Sequence, residues 1–368
     1  MDKPTLTSTI GKVRFKFSIR TVVGIIVSLF LLWRVYSVIV IQHNFGADTW
    51  VRFGLSGLTL GGMYALIAIG YTLVYGIMFM INFAHGEVMM VGAFTGYFVF
   101  EILRFIATPT AANPDLNLLN GHPFFSILLA FLLGISISAM AGFYLEKIAY
   151  RPLRNAPRLI LLITAIGASI ALQNLAMLLF GPQRKNVINP DILDRSAGWI
   201  LHISGQDVLI SYTGIFSLLL SSLLMVGLYL LVQRTQLGRA MRAVAQDKNT
   251  AYLMGVDVDD VVSKTFMISG GLAGAAGVMW AIHMGLVNHY TGFLPGIKAF
   301  TAAVIGGIGS IPGAMIGGLL LGTIESIGPA ALGIDFQLKD VIAFSILVLV
   351  LIVRPSGIFS EKLSEEKL

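Results

Sequence analysis

Ten long apolar runs, separated by short polar segments, constrain this chain more than any other feature of its sequence. Several of them exceed the roughly 20 residues that an α-helix needs to cross a bilayer. Only 12% of the residues are charged, about half the proportion found in a soluble domain. The apolar runs are continuous and do not alternate, which argues against a β-barrel. The sequence therefore predicts an all-α polytopic membrane protein with about ten transmembrane helices, at residues 20–41, 53–79, 87–106, 124–147, 159–180, 213–233, 264–285, 297–309, 312–331 and 339–353.

The basic residues predict the orientation of these spans. Most of the 25 Lys and Arg residues fall in segments 1–20, 148–158, 234–263 and 354–368. Because basic loops stay on the cytoplasmic side of a membrane, both termini are expected there. Arg34 lies inside the first span and is close enough to its end to snorkel; the alternative is that residues 20–41 lie along the membrane surface. The net charge of +6 belongs to these loops and does not indicate nucleic-acid binding.

The sequence lacks the motifs of catalysis. It contains no cysteine, which excludes a disulfide framework and Cys-based metal sites. The six histidines show no metal-ligand spacing, and no G-x-x-x-x-G-K-[ST] loop is present to hold ATP. We therefore expect no catalytic residue, no metal site and no cofactor in this chain.

The polar stretch 81-INFAHGE-87 interrupts two apolar runs. The simplest interpretation is a turn between spans two and three. Asn82 and His85 would satisfy freed backbone groups, Gly86 would permit the bend, and Glu87 would lie in the first turn of the next helix, where the dipole favours a carboxylate. The alternative is that this turn lines or gates a path across the membrane.

Glycine is abundant, at 40 residues, and several small-xxx-small pairs predict close helix packing. In 304-VIGGIGSIPGAMIGGLLLG-322, Gly309, Pro312 and Gly313 predict a turn or a break between two short helices. A broken helix at that point would line a cavity. Acidic residues near span ends, such as Glu146, are expected at the membrane interface, whereas Glu87 and Glu325 are expected to face protein or water because exposure to lipid is costly.

Two loops are long enough to dock other proteins. Segment 234–263 predicts two short helices, the first from about Arg239 to Asp247 and the second beginning with Asp257 as its N-cap. Gly255 is suited to a helix stop between them. We expect a cytoplasmic partner to dock there. The segment 181–212 predicts a short hairpin and a docking surface or lid.

Four segments together resemble the LivH-type permease subunits of branched-chain amino-acid ABC importers: 58-LTLGGMYALIAIGYTLVYGIMFMINFAHGEVMMVGAF-94, 145-LEKIAYRPLRNAPRLILLITAIGASIALQN-174, 238-GRAMRAVAQDKNTAYLMGVD-257 and 298-KAFTAAVIGGIGSIPGAMIGGLLLGTIES-326. The resemblance implies a transmembrane domain at residues 53–358, preceded by a basic segment with an extra span at 1–52 and followed by a cytoplasmic tail at 359–368. It also implies a type II inverted repeat and a bacterial inner-membrane location.

The resemblance further implies the partners and the roles of individual residues. The partners would be a second related permease, two cytoplasmic ATPases that bind ATP and Mg, and an external substrate-binding protein. Import of branched-chain or other neutral amino acids would follow; a urea or short-amide permease and an ion-coupled secondary transporter are the alternatives. ATPase coupling would involve Arg239, Arg242, Asp247, Gly255 and Asp257. The candidates for the pathway or gate are Asn82, His85, Gly86, Glu87, Gly309, Pro312, Gly313 and Glu325.

Overall fold

Eight helices in the described part of the chain are long and apolar enough to cross a membrane. The computed structural model describes residues 29, 33–38, 45–107, 117–154, 156–203, 205–354 and 356–359, and the first predicted span, 20–41, lies largely outside these ranges. The all-α polytopic class is confirmed. The elements are α1 (Ala47–Met78), α2 (His85–Phe105), α3 (Leu118–Gly121), α4 (Pro123–Leu145), α5 (Arg158–Phe180), β1 (Lys185–Asn186), β2 (Gly198–Ile203), β3 (Gln206–Ser211), α6 (Tyr212–Arg234), α7 (Gln236–Gln246), α8 (Lys248–Leu253), α9 (Val258–Met284), β4 (Leu286–Val287), α10 (Phe293–Gly306), α11 (Ile311–Leu332) and α12 (Lys339–Val353).

The two ends of the molecule differ in structure. At one end β2 pairs with β3 as an antiparallel hairpin, which confirms the predicted hairpin, and Arg52 of α1 donates to the carbonyl oxygen of Asp207. Helix α6 leads from this hairpin to α7 and α8, which therefore lie at the opposite end. We call these ends the hairpin side and the short-helix side.

Helices α1 and α9 form the centre of the bundle, and glycines allow their neighbours to approach closely. A Cβ added at Gly318 of α11 would lie 2.3 Å from Cα of Ala65 in α1. A Cβ at Gly274 of α9 would lie 2.4 Å from the carbonyl oxygen of Gly134 in α4. Helix backbones in direct contact leave no space for side chains, so these glycines serve close packing, as the small-xxx-small pairs predict.

The helix contacts repeat in two groups. Helix α1 packs on α10 and α11, and α9 packs on α2 and α4, while α1 and α9 also contact each other. Exchanging α1 with α9, α2 with α10 and α4 with α11 therefore reproduces the same set of contacts. Because α1 runs away from the hairpin side and α9 runs towards it, the two groups have opposite directions, as an inverted repeat requires.

The turn before α11 forms as predicted. Gly307 and Gly309 have positive φ values of 110° and 98°, which favour glycine. The Ser310 hydroxyl accepts a hydrogen bond from the Gly313 amide at 3.2 Å, and Pro312 lies in the first turn of α11, where its missing N–H leaves no helical bond unmade.

The predicted second short helix of the 234–263 segment was placed wrongly. Asp257 does cap a helix, and its carboxylate accepts from the Asp260 amide at 3.1 Å, but that helix is the long α9. The second short helix is α8, capped by Asp247 through the Asn249 amide at 2.8 Å. Both aspartates are good N-caps, so the local sequence does not show which of the two helices continues into the membrane.

Arg34 is paired despite its place in an apolar run. Its Nε donates to the carbonyl oxygen of Leu332 at 3.0 Å. Leu332 is the last residue of α11, and the carbonyl groups at a helix end lack intrahelical partners and carry partial negative charge. The Arg34 guanidinium therefore binds a carbonyl oxygen that has no partner within its own helix.

Candidate functional site

Two helices begin next to each other inside the bundle. The chain leaves α1 at Phe79, whose φ of 53° is left-handed, and re-enters the bundle before α2 begins at His85. A Cβ added at Gly86 would lie 2.5 Å from the carbonyl oxygen of Gly292, the residue before α10. The bend is therefore made at Phe79. The role predicted for Gly86 was wrong, because this glycine lets the starts of α2 and α10 touch.

These helix starts lie well away from the ends of their neighbours. His85 Nδ1 is 3.4 Å from the Ser269 hydroxyl of α9, and a Cβ added at Gly70 of α1 would meet the His85 ring. Gly70 lies eight residues before the end of α1 at Met78, about 12 Å at 1.5 Å per residue. Helices α2 and α10 therefore both start about two helical turns in from the short-helix end of α1, inside the bundle.

The predicted backbone roles of Asn82 and His85 are also replaced by contacts between elements. Asn82 Oδ1 accepts from the Tyr150 hydroxyl at 2.6 Å, which links the bend to the π-helical turn Glu146–Tyr150 after α4. The His85 ring makes an edge contact with Tyr71 of α1, with centroids 4.8 Å apart. Side chains that would have capped a surface turn are thus buried between helices.

Glu87 is fully buried in the first turn of α2. Its Oε1 accepts from Gln173 Nε2 at 2.6 Å and from the Ser169 hydroxyl at 3.2 Å. Oε2 has no hydrogen-bond partner within the described residues. Ser169 and Gln173 lie one turn apart on α5, so a single face of that helix holds the carboxylate.

A cavity of about 470 Å³ lies beside this cluster. Ser169 and Gln173 form its polar wall. The remaining lining is apolar or aromatic, and it comes from Tyr71, Phe83, Ile166, Ile170, Phe293 and Ile297. Ile166 and Ile170 of α5 are partly exposed, so the cavity opens on the outer face of α5. Of the predicted pathway residues, Glu87 is thus placed behind the polar wall of a cavity.

Glu325 belongs to a different, fully paired network. Its carboxylate accepts from Lys298 Nζ at 2.7 Å and from the Tyr64 hydroxyl at 2.9 Å, and Lys298 also pairs with Asp340 at 2.5 Å. Glu325 is buried, as predicted, and Lys298, which falls within the predicted span 297–309, is buried in α10. The network joins α1, α10, α11 and α12, which indicates a packing role.

Another buried carboxylate was not predicted. Glu146 was expected at the membrane interface, but its side chain is fully buried and accepts from the Ser263 hydroxyl at 2.7 Å. Arg154 pairs with both Glu146 and Asp259, and Arg151 lies 3.5 Å from Asp259. The cluster ties the end of α4 to the first turns of α9, close to α8. Burial and the charge of Arg154 lower the pKa of the nearby Lys248 ammonium.

The residues predicted to dock a partner on the short-helix side divide into two kinds. Asp247 and Asp257 are N-caps, and Gly255 has a φ of 84°, so these three shape the segment. The second kind consists of two exposed arginines, Arg239 and Arg242. Arg242 donates to the carbonyl oxygen of Val232 at the end of α6.

Three exposed apolar residues follow on the same segment, and their exposure was not predicted from the sequence. Tyr252, Leu253 and Met254 are 71%, 82% and 79% exposed, whereas Met241, Val244 and Ala251 of the same segment are buried. We call Tyr252, Leu253 and Met254 the apolar tip. A run of three large apolar residues before Gly255, in a polar loop, was the available signal.

Comparisons with known proteins agree on one family. The family described as "Branched-chain amino acid transport system / permease component" matches residues 54–351. The chain is 45% identical over 305 residues to the high-affinity branched-chain amino acid transport system permease protein BraD of Pseudomonas aeruginosa, covering 83% of this chain and 94% of BraD. It is 42% identical over 304 residues to the corresponding protein LivH of Escherichia coli (strain K12), covering 82% and 93%. No solved structure matches the chain.

Proposed function

This chain belongs to the family of branched-chain amino acid transport system permease components, and we propose that it is the transmembrane subunit of an ATP-driven importer of branched-chain amino acids. The observation that carries the proposal is the 42–45% identity to named permeases over more than four fifths of the chain. Eight candidate spans and a largely apolar cavity at two interior helix starts support it.

The proposed orientation places the short-helix side in the cytoplasm. The connection between α4 and α5 and the segment holding α7 and α8 carry Arg151, Arg154, Arg158, Arg239 and Arg242. Arginine-rich loops of this length remain cytoplasmic. The hairpin side then faces outward, where an external binding protein would deliver the substrate.

The apolar tip is the proposed docking point for the ATPases. Large apolar side chains that are fully exposed on a protein surface mark interaction sites. Met241, Val244 and Ala251 are buried and anchor the short helices to the bundle. A displacement of the apolar tip would therefore be transmitted to α9 and to the neighbouring cluster of Glu146, Arg154 and Asp259. ATP and Mg would be bound by the partner ATPases, and movement would enter this chain through α7 and α8.

A second, related permease is the proposed neighbour of α5. The cavity is walled on one side by Ile166 and Ile170, which are 43% and 53% exposed, and no described element of this chain covers them. A partner helix packed there would close the cavity and place it between the two permeases.

The experiment uses a bacterial strain that lacks its own high-affinity leucine uptake and expresses this chain with its partners. We expect labelled leucine uptake that excess valine or isoleucine suppresses and excess urea does not. Leu253→Asp should weaken copurification of the ATPases at least tenfold, equivalent to about 1.4 kcal/mol, and abolish uptake, because a charge replaces an apolar anchor.

Ile200→Asp is the matched control for Leu253→Asp. Ile200 is a 60% exposed apolar residue on the hairpin side, and we expect its substitution to leave ATPase copurification unchanged. If the ATPases copurify equally well with Leu253→Asp and with wild type, docking at the apolar tip is refuted. Suppression of uptake by urea but not by valine would refute the assignment of the substrate.

A further inference from the structure

Glu87 is a buried carboxylate for which the described chain provides no counter-charge. Its side chain is inaccessible to solvent, and no Lys, Arg or His within the described ranges forms an ion pair with it, in contrast to Glu146 and Glu325. The start of α2 offsets part of the charge through the helix dipole. An unpaired charge inside a membrane protein remains costly, and such groups mark functional sites.

The cavity provides a place from which a cation can approach this carboxylate. Ser169 and Gln173, the two donors to Glu87, are also the polar wall of the cavity. Gln173 Nε2 lies 2.6 Å from Glu87 Oε1 and 3.5 Å from the Ser169 hydroxyl. Both amide protons are thereby engaged, so the amide oxygen of Gln173 is the acceptor left for a ligand.

The rest of the cavity suits an aliphatic group. Its other walls are the side chains of Tyr71, Phe83 and Phe293 and three isoleucines. A volume of about 470 Å³ falls within the roughly 300–1,000 Å³ typical of small-molecule sites, which are mostly apolar with a few polar groups that fix orientation. One polar wall and an apolar remainder match the ammonium group and the branched alkyl body of a ligand, and no cationic side chain among the described residues lines the cavity to pair with a ligand carboxylate.

We propose that this cavity is a substrate site within the permease. The Ser169 and Gln173 oxygens bind the ammonium group of a branched-chain amino acid, the charge of Glu87 stabilises that ammonium from behind, and the aliphatic side chain packs on Ile166, Ile170 and Ile297. The inference rests on the proposed function and locates its substrate. A neutral molecule such as urea supplies no positive charge to Glu87 and would be selected against.

The test measures binding to the permease complex, with its partner permease and ATPases in lipid nanodiscs, without ATP and without the external binding protein. The probes are L-leucine, 3-methylbutylamine, which retains the ammonium but lacks the carboxylate, and 4-methylpentanoate, which retains the carboxylate but lacks the ammonium. Ligands that bind the folded state stabilise it by RT ln(1 + [L]/Kd), so its melting temperature rises with ligand concentration and with affinity. We expect leucine and 3-methylbutylamine to raise it and 4-methylpentanoate to have no effect.

Two variants separate the carboxylate from the cavity. Glu87→Gln preserves an acceptor for Ser169 and Gln173 but removes the charge, and we expect at least a tenfold loss of affinity for 3-methylbutylamine. Ile297→Trp, on α10 and away from the exposed face of α5, fills the cavity without touching the carboxylate and should abolish binding of both ligands. Glu101→Gln is the control, since Glu101 lies in the same helix, is partly exposed and pairs with Arg104 at 3.9 Å. The affinity of this variant for both ligands should match that of wild type.

The outcomes are distinguishable from failure of the proposed function. Equal affinities in Glu87→Gln and wild type, binding of 4-methylpentanoate as tight as that of the amine, or no binding of any probe would overturn the site. If Glu87→Gln fails to assemble, the probe series on the wild type and on Ile297→Trp still decides. Intact leucine uptake by a complex that binds no probe would leave the proposed function standing, whereas absence of leucine uptake in wild type would refute that function.

Discussion

At the scale of single residues, the buried carboxylates Glu325 and Glu146 are held in ion-pair networks, while Glu87 is not. Glu325 accepts from Lys298 and Tyr64, and Glu146 from Arg154 and Ser263. Two paired carboxylates and one unpaired carboxylate in one membrane bundle indicate different roles. The paired carboxylates stabilise helix packing, and the unpaired carboxylate of Glu87 is available to a cation supplied by a ligand.

Replacing Lys298 with methionine should destabilise the fold strongly. Lys298 is only 3% exposed, and its loss leaves Glu325 and Asp340 without their shared cation. Breaking a buried ion pair costs about 3–5 kcal/mol, and we expect a loss near the lower end because Lys339 remains 3.5 Å from Glu325. The free energy of unfolding in mixed detergent micelles measures it.

Lys264→Met is the control for Lys298→Met. Lys264 pairs with Asp260 at 2.6 Å, but both side chains are about half exposed, and exposed pairs contribute about 1 kcal/mol or less. Equal losses for the two variants would show that the Lys298 network does not stabilise the fold.

The sequence predicts the burial of Glu325 but not that of Glu146. A carboxylate in the middle of an apolar run has to face protein, so Glu325 follows from local sequence alone. Glu146 lies at the end of a run, where exposure is the usual outcome. Its partner Arg154 is only eight positions away, but Ser263 and Asp259, which complete the network on α9, lie more than a hundred positions along the chain. Pairing with those distant residues carries no local signal.

At the scale of helices, close packing of α1 and α11 depends on glycine. Gly318→Ala would place a methyl group 2.3 Å from Cα of Ala65, and overpacking of this kind costs about 1–3 kcal/mol. We expect a lower melting temperature of the purified permease and reduced leucine uptake.

Gly227→Ala tests whether that effect comes from packing. Gly227 lies in α6, and a Cβ added there has no heavy atom within 4 Å. Alanine favours a helix over glycine by about 1 kcal/mol, so this variant should match or exceed wild-type stability. A melting temperature lowered equally by both substitutions would refute the packing explanation.

Helix boundaries follow well from the sequence, but the interior helix starts do not. The predicted span 159–180 matches Arg158–Phe180 and the predicted span 312–331 matches Ile311–Leu332, because long apolar runs between turn residues specify helices. The segment INFAHGE has the polar residues of a surface turn, yet Asn82, His85 and Glu87 are buried. The depth of this segment inside the bundle is set by the contact of Gly86 with Gly292. Gly292 precedes α10, which belongs to the other group of helices, so the local sequence does not reveal this contact.

At the scale of the whole molecule, the orientation is open to a direct chemical test. The chain contains no cysteine, so single cysteines can be introduced without removing any. We expect Ile200→Cys to react with a membrane-impermeant maleimide in cells whose outer membrane alone is permeabilised, and Tyr252→Cys to react only after the inner membrane is opened. Both positions are exposed, at 60% and 71%, so differences in reactivity report sidedness. The reverse pattern would contradict the proposed orientation.

Coupling of leucine transport to ATP hydrolysis defines the proposed function of the assembled protein, and it can be measured in sealed proteoliposomes. The vesicles contain this permease, its partner permease and the ATPases, with the ATPases facing outward and the external binding protein and labelled leucine enclosed. We expect leucine efflux from the lumen when ATP and Mg are added outside, no efflux with a non-hydrolysable ATP analogue, and none with Leu253→Asp. Leucine movement driven by a sodium or proton gradient without ATP would contradict it.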